Sequence, residues 1–319
     1  MIRQKDGIHF QLNDTIVADS RSAEGDINIV THGHSDHAPS SDGSVVCSDE
    51  TARIVEERND IDVEHVDGTD RIELHSAGHI VGSRAALIHG EDDILYTGDV
   101  ATRDRAYLDG FEPIDADVLV TEATYGIPAY TFPPQDEIEE RIRRWITEQD
   151  RPLFLFGYSL GKAQKIQHLA QQATEQPIIA HGAVHAMNQV VGQATDLTFD
   201  AVPYSENKEL VENGLFVLPS RLSRADWVDE LADELDAVKA GFSGWAAQDS
   251  YQYRGGYDEA FTLSDHCDFD ELIDLVEQVD PDRVYTQHGF DEALASRLRK
   301  EHRVNARPLK KNQSSLTDF

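Results

Sequence analysis

At 319 residues the chain is long enough for a large core and two lobes, and it holds no apolar run of the roughly 18 residues that a membrane-spanning helix needs. It carries 28 Lys and Arg against 60 Asp and Glu, a formal net charge of −32, which at low salt disfavours an anionic partner such as nucleic acid. The acids are spread along the whole chain, the pattern of a salt-adapted surface, and in concentrated salt the objection weakens because the Debye length falls to about 3 Å at 1 M.

The opening residues, Met1 to Gly7, lack the apolar segment of a secretory signal. Short strands are expected up to residue 31, with a turn at Asp19-Ser20-Arg21-Ser22. Ile27-Asn28-Ile29-Val30 reads as a short buried strand bounded by Gly25 and Asp26. It runs into Thr31-His32-Gly33-His34-Ser35-Asp36-His37-Ala38, three histidines and an aspartate at a strand end. Imidazole and carboxylate are the donors that suit zinc-like ions at neutral pH. His32 and His34 can point together once the chain turns at Gly33, and Asp36 and His37 are left to serve a second ion.

A strand at Ser44 to Ser48 and a helix at Asp49 to Glu57 follow, with Ser48 or Asp49 as its cap. Strand-like pieces recur at Arg71 to His75, Arg84 to Ile88, Asp93 to Tyr96 and Asp117 to Thr121. Their alternation and spacing predict antiparallel meanders with helices packed outside. Between them, Gly78-His79-Ile80-Val81-Gly82-Ser83 offers His79 from a loop. Asp99 closes a strand after Gly98, with two oxygens that can bridge two ions. Glu122 ends the next strand, where it can orient a histidine or handle a proton.

From about residue 133 the texture changes to alternating strands and helices. Helices are expected at Gln135 to Gln149, Gly161 to Gln172, Val184 to Ala194 and Ala225 to Leu235, and strands at Pro152 to Gly157, Ile178 to Ala180 and Leu215 to Leu218. This is parallel α/β patterning and reads as an inserted domain over residues 133–257. The join from Phe156 to Gln164 looks like a P-loop, but the spacing between Gly157 and Gly161 is one residue short. Ala163 also stands where a magnesium-binding hydroxyl belongs, which excludes a nucleoside triphosphate. Lys162 at that helix start either meets a phosphate or simply packs. The rings of Tyr251, Tyr253 and Tyr257, with Arg254, either stack on the bases of a single strand or form a packed loop.

Thr262-Leu263-Ser264-Asp265-His266-Cys267-Asp268 is centred on His266, and a helix follows at Phe269 to Gln278. A strand at Arg283 to Gln287 ends in His288-Gly289. The tail from Arg303, with Arg307, Lys310 and Lys311, reads as a last short strand and a frayed end. Two cysteines, Cys47 and Cys267, make no disulfide framework, so the sequence reads as a soluble cytoplasmic protein.

These motifs, in this order, resemble those of the metallo-β-lactamase superfamily and, within it, the β-CASP nucleases. The His32-x-His34-x-Asp36-His37 motif carries the superfamily. Thr121-Glu122-Ala123-Thr124-Tyr125-Gly126, Ser264-Asp265-His266 and Gln287-His288-Gly289 narrow it to the branch. Tyr158-Ser159-Leu160-Gly161-Lys162-Ala163-Gln164 and the Phe261 to Asp268 phrase look closest to compact DNA-ligase-associated exonucleases. Those are similar to DNA cross-link repair nucleases and to archaeal mRNA 3′-end processing factors.

The resemblance implies an α/β fold: an αββα sandwich over residues 1–132 and 258–319, interrupted by an α/β β-CASP insert at 133–257. It implies two zinc ions, one on His32, His34 and His79, the other on Asp36, His37 and His288, with Asp99 bridging. Asp36 would take a proton from the attacking water, and His266, oriented by Glu122, would protonate the leaving oxygen. Lys162 and Arg254 are the candidate substrate contacts. The implied substrate is DNA, cut by an exonuclease in repair beside a DNA ligase or helicase. RNA 3′-end processing is the alternative, because a histidine at the position of His288 is usual for RNA-acting members. A small-molecule metallo-hydrolase would keep the early motifs without needing Glu122, His266 or the insert, and a non-catalytic subunit would tend to lose ligands.

Overall fold

The computed structural model describes residues 1–309, so Lys310 and Lys311 of the tail lie outside the described residues. The chain forms two compact units. One comprises Met1–Thr102, Gly110–Pro128 and the chain from Phe269 onward; the other comprises Arg103–Asp109 and Ala129–Asp268.

The first unit holds two sheets of six strands each. One sheet runs in chain order through β1 (Ile2–Lys5), β2 (Gly7–Gln11), β3 (Thr15–Ala18), β4 (Ile27–Ile29), β5 (Gly43–Val46) and β6 (Val63–Val66). The other contains β7 (Ile72–Ser76), β8 (Arg84–Ile88), β9 (Ile94–Tyr96) and β10 (Val118–Glu122), then β17 (Arg283–Gln287) and β18 (Ala306–Pro308) beside β10. Phe10, Ile16 and Ile29 of the first sheet meet Ile88, Tyr96 and Val120 of the second in one buried core. Each such side chain contributes roughly 1.5–3 kcal/mol by leaving water.

Helix α1 (Asp49–Asn59) starts where the Ser48 Oγ accepts the Thr51 N–H at 3.2 Å, and it ends at Asp60 in the left-handed region. Its Ala52 and Val55 pack on Val30, Val45 and Val63, covering the outer face of the first sheet. Helices α7 (Phe269–Val279) and α8 (Asp291–Arg297) complete the unit, an αββα sandwich. The meander expected from sequence is antiparallel only in β1-β2-β3 and β7-β8-β9. From β3 to β6, and from β9 through β10 and β17 to β18, the pairing is parallel. The cause is connectivity: β5 and β6 are joined through α1, and β10 and β17 through Ala129–Asp268 of the second unit and α7, crossovers that return the chain in the same direction.

The second unit holds a sheet in the order β13-β12-β14-β11-β15-β16 with parallel pairing throughout. These strands are β11 (Leu153–Gly157), β12 (Ile178–Ala180), β13 (Val202–Pro203), β14 (Leu215–Pro219), β15 (Val238–Phe242) and β16 (Glu259–Phe261). Its helices are α2 (Gln135–Thr147), α3 (Lys162–Ala173), α4 (Gly182–Ala194), α5 (Asp226–Glu234) and α6 (Ser250–Gly255). Helix α2 buries Ile138, Ile142 and Ile146, one side chain per turn. Helix α3 is buried nearly all round, and its polar side chains therefore find partners inside: Gln164 and Gln167 both donate to Asn188 Oδ1 on α4.

Candidate metal centre

Three chain segments of the first unit bring four side chains to one place. His32 and His34 lie just beyond β4, His79 lies in the loop between β7 and β8, and Asp99 follows β9. Gly98 lets the last of these close up: its φ is +56°, and a Cβ there would sit 2.6 Å from Thr31 Oγ1. The donor atoms of His32, His34, His79 and Asp99 all lie within 4.8 Å of one another. His32 Nε2 is 3.0 Å from His34 Nδ1, which is 3.2 Å from His79 Nε2. Asp99 Oδ2 lies 3.5 Å from His32 Nε2 and 3.6 Å from His79 Nε2.

Lone pairs of three imidazoles facing one another repel unless a cation sits between them. Donors of a tetrahedral zinc site with bonds of about 2.0–2.1 Å lie about 3.3 Å apart, which is the spacing seen. His32 and His79 are wholly buried, so their orientation is fixed by packing. The residues fit a metal ion.

Asp19, at the end of β3, organises the histidines from behind. Its Oδ1 accepts the Thr31 N–H at 2.8 Å. Its Oδ2 accepts the Thr31 hydroxyl at 2.8 Å, the Tyr96 hydroxyl at 2.7 Å and His37 Nδ1–H at 3.0 Å. With its proton given to Asp19, Thr31 Oγ1 is the acceptor for His32 Nδ1–H, 3.0 Å away. One carboxylate thus sets the tautomer of both His32 and His37 and leaves their Nε2 lone pairs toward the centre. Burial and the Asp19 charge raise the Tyr96 hydroxyl well above its ordinary range, which keeps it a donor. Sequence reasoning placed Asp19 in a turn and gave it no role. The available signal was an aspartate at the end of a strand beside the one leading to His32.

The second set is more open. His37 Nε2 lies 3.8 Å from Asp99 Oδ2 and 3.9 Å from Asp36 Oδ2, and the His37 and His288 ring centroids are 6.0 Å apart. His288 follows β17 with φ +57°, and a side chain at Gly289 would run into the Ala123 carbonyl. Burial alone lowers the His37 pKa, but the carboxylates of Asp99 and Asp19 overrule it and lift the group to about 10. Without an ion, a proton takes the place of positive charge there.

No protein-family model matches the chain. It is 33% identical over 288 residues, 85% of its length, to a probable DNA ligase of Opitutus terrae, of which the match covers 28%. It is 30% identical over 102 residues to cleavage and polyadenylation specificity factor subunit 3 of Dictyostelium discoideum, covering 30% of the chain and 13% of that protein. It is 29% identical over 121 residues to transcription termination factor FttA of Methanocaldococcus jannaschii, covering 34% of the chain and 19% of that protein. The chain therefore spans less than a third of each of these relatives. With the sandwich and its histidine cluster, these likenesses decide the family. The chain belongs to the β-CASP branch of the metallo-β-lactamase superfamily.

In this β-CASP chain the other candidate residues are placed as follows. Glu122 is fully buried at the end of β10, and its Oε1 accepts the Val100 N–H at 2.8 Å, holding the loop that carries Asp99. His266 belongs to the second unit, where its N–H donates to Ser264 Oγ at 3.0 Å and its carbonyl accepts from Ser264 Oγ and Arg105. Lys162 is turned inward rather than offered to solvent. Its ammonium lies 2.9 Å from Asp265 Oδ1, which also takes Lys165 at 2.8 Å. Burial pushes the Lys162 pKa down to about 8 against the pull of Asp265. A phosphate would have to enter that buried cluster to reach it. Of the aromatic loop, Tyr257 packs on Phe156 and Tyr251 on Tyr257, so those two rings are committed to the core. Tyr253 is 78% exposed, and Arg254 is exposed with its Nε donating to the Ser250 carbonyl. Among the described residues, no helix is long and apolar enough to cross a membrane.

Proposed function

We propose that this chain is a zinc-dependent nuclease that hydrolyses phosphodiester bonds of DNA from an end, in repair. The cluster of His32, His34, His79 and Asp99 is the observation that carries the metal-dependent part. His32, His34 and His79 would hold one ion and Asp36, His37 and His288 a second, with Asp99 available to both. When bound, such ions supply Lewis acidity toward phosphate oxygens and make water a stronger acid.

The chain's own groups handle the protons. Water oxygen bonds to phosphorus as the bond to the leaving oxygen breaks. Asp36, whose side chain is 75% exposed, takes the proton of the attacking water. His266 returns one to the leaving oxygen, a role that rests on the sequence resemblance. Asp19 keeps His32 and His37 in the ligating tautomer throughout.

DNA is favoured because a relative that matches 85% of the chain is named a probable DNA ligase, which also suggests a ligase as a working partner. RNA is the second reading, favoured by His288 and by the relatives named as a polyadenylation factor and an endoribonuclease. The net charge of −32 and the two buried free cysteines lead us to place the protein in a reducing, salt-rich cytoplasm. The test is a paired digestion by the zinc-loaded protein in high salt, with end-labelled DNA and RNA single strands of one sequence. Stepwise shortening of DNA alone is expected. Internal cuts, or loss of RNA in preference, would overturn the DNA exonuclease reading, and cleavage of neither would overturn the nuclease.

A further inference from the structure

A cavity of about 290 Å³ opens beside the second ligand set, and Lys5 and Arg21 line it together with Asp36, His37 and His288. Its volume is several times the roughly 30 Å³ share of one water, enough for a phosphate group. All of it lies within the first unit.

The backbones of both cations are pinned. Lys5 ends β1 opposite Gly7, and the hairpin turn between them is tied down where the hydroxyls of Ser20 and Ser22 donate to Asp6 Oδ2 at 3.0 and 3.4 Å. Arg21 sits between those two serines, and its carbonyl accepts both the N–H and the hydroxyl of Ser40, at 3.0 and 3.1 Å. Two strand-end loops are thus stitched together so that their one lysine and one arginine share a cavity mouth.

The charges of the two side chains are not spent within the protein. Neither makes an ion pair among the described residues, although acids outnumber bases 60 to 28 in the chain. The three carboxylates that line the cavity face other groups: Asp6 accepts serine hydroxyls, Asp19 accepts from Thr31, Tyr96 and His37, and Asp36 lies 3.9 Å from His37 Nε2. Two cations that line one cavity without a direct ion pair repel each other, and an anion between them removes that repulsion. Arg offers a planar fork to phosphate oxygens and Lys a point charge.

We propose that Lys5 and Arg21 form a phosphate-binding subsite that holds a phosphate of the nucleic-acid strand next to the one being cut. This rests on the nuclease reading for its ligand. The phosphate is either an internal backbone group or a terminal one. The two cations are positioning residues, and they set how the strand is registered on the metal centre.

The experiment uses the whole 319-residue chain stripped of metal, so that binding is read apart from cleavage. Fluorescence anisotropy follows short single-stranded DNA carrying a 5′ phosphate, a 3′ phosphate or neither, over a salt series. The variants are Lys5→Gln, Arg21→Gln, the double variant, and Lys300→Gln, which removes a charge that does not line the cavity. The double variant is expected to bind at least 10-fold more weakly. Its slope of log affinity against log salt should flatten by about 0.7 for each phosphate left without its cation. Lys300→Gln should keep the wild-type slope. Weakening confined to one phosphorylated strand assigns a terminal phosphate, and equal weakening on all three assigns a backbone phosphate.

In the metal-loaded protein the double variant should raise KM with kcat within about threefold. Unchanged affinity and slope in the double variant, or no binding of any strand by the wild type, would overturn the subsite. Normal stripped-state binding with no cleavage by the loaded wild type would instead sink the nuclease reading and leave the subsite standing.

Discussion

Asp19 Oδ2 accepts a hydrogen bond from His37 Nδ1 at 3.0 Å, and the same oxygen reaches His32 through the Thr31 hydroxyl. A single buried carboxylate therefore aims one histidine of each proposed ligand set. Asp19 has φ +52°, a conformation that asparagine tolerates, so Asp19→Asn keeps the backbone while exchanging one acceptor oxygen for a donor amide. We expect this variant to lose about 10–100-fold in metal affinity. A zinc titration against a chromophoric chelator reads this directly. Wild-type affinity in Asp19→Asn would mean that the histidines are oriented by packing alone.

The metal-free protein should be pH-sensitive through His37. Its folded pKa is raised from 6.5 to about 10, so its contribution to stability is fully present below about pH 6.5 and is lost as pH rises through about 10. Thermal unfolding of the stripped protein should therefore move to lower temperature between pH 7 and 10, and His37→Gln should flatten that part of the profile. Metal must displace the same proton, so apparent metal affinity should rise with pH over that window. Equal slopes for the wild type and His37→Gln would show that the imidazole is neutral in the folded apo state.

The second unit has its own point of sensitivity. Asp265 faces two buried ammonium groups, Lys162 at 2.9 Å and Lys165 at 2.8 Å. Asp265→Asn removes the carboxylate that both ammonium groups face and should destabilise the protein by about 3–5 kcal/mol. The urea midpoint should fall accordingly. A drop under about 1 kcal/mol would mean that the lysines shed their protons or reach other acceptors.

The histidine–aspartate cluster was legible in the sequence because metal chemistry restricts donor types, and a strand end brings neighbours such as His32 and His34 to one point. His79 and Asp99 were legible by the same logic, each at a turn beside glycine. Asp19 was not, because its role depends on β3 pairing in parallel with β4, and pairing direction leaves no local trace in either strand. Strands buried on both faces, such as Val118–Glu122, also lose the alternation that would mark a meander. Lys162 left two readings open, a phosphate contact or a packed helix start, for a related reason. A lysine opening a helix after a strand and glycine reads as surface charge, yet α3 is enclosed and its cations are paired inside. Burial of that kind comes from what packs around a helix, not from the helix's own pattern.

The central claim is that the cluster of His32, His34, His79 and Asp99 holds an ion required for phosphodiester cleavage. It is tested most directly by complete metal removal, checked by elemental analysis, followed by zinc add-back with end-labelled DNA and RNA as substrates. We predict that cleavage falls by at least about 10³-fold on stripping, since the metal supplies several kcal/mol of transition-state stabilisation. It should return with zinc in the wild type and stay absent in His32→Ala and His79→Ala. Undiminished cleavage by the verified metal-free protein, or full recovery in both variants, would contradict the account.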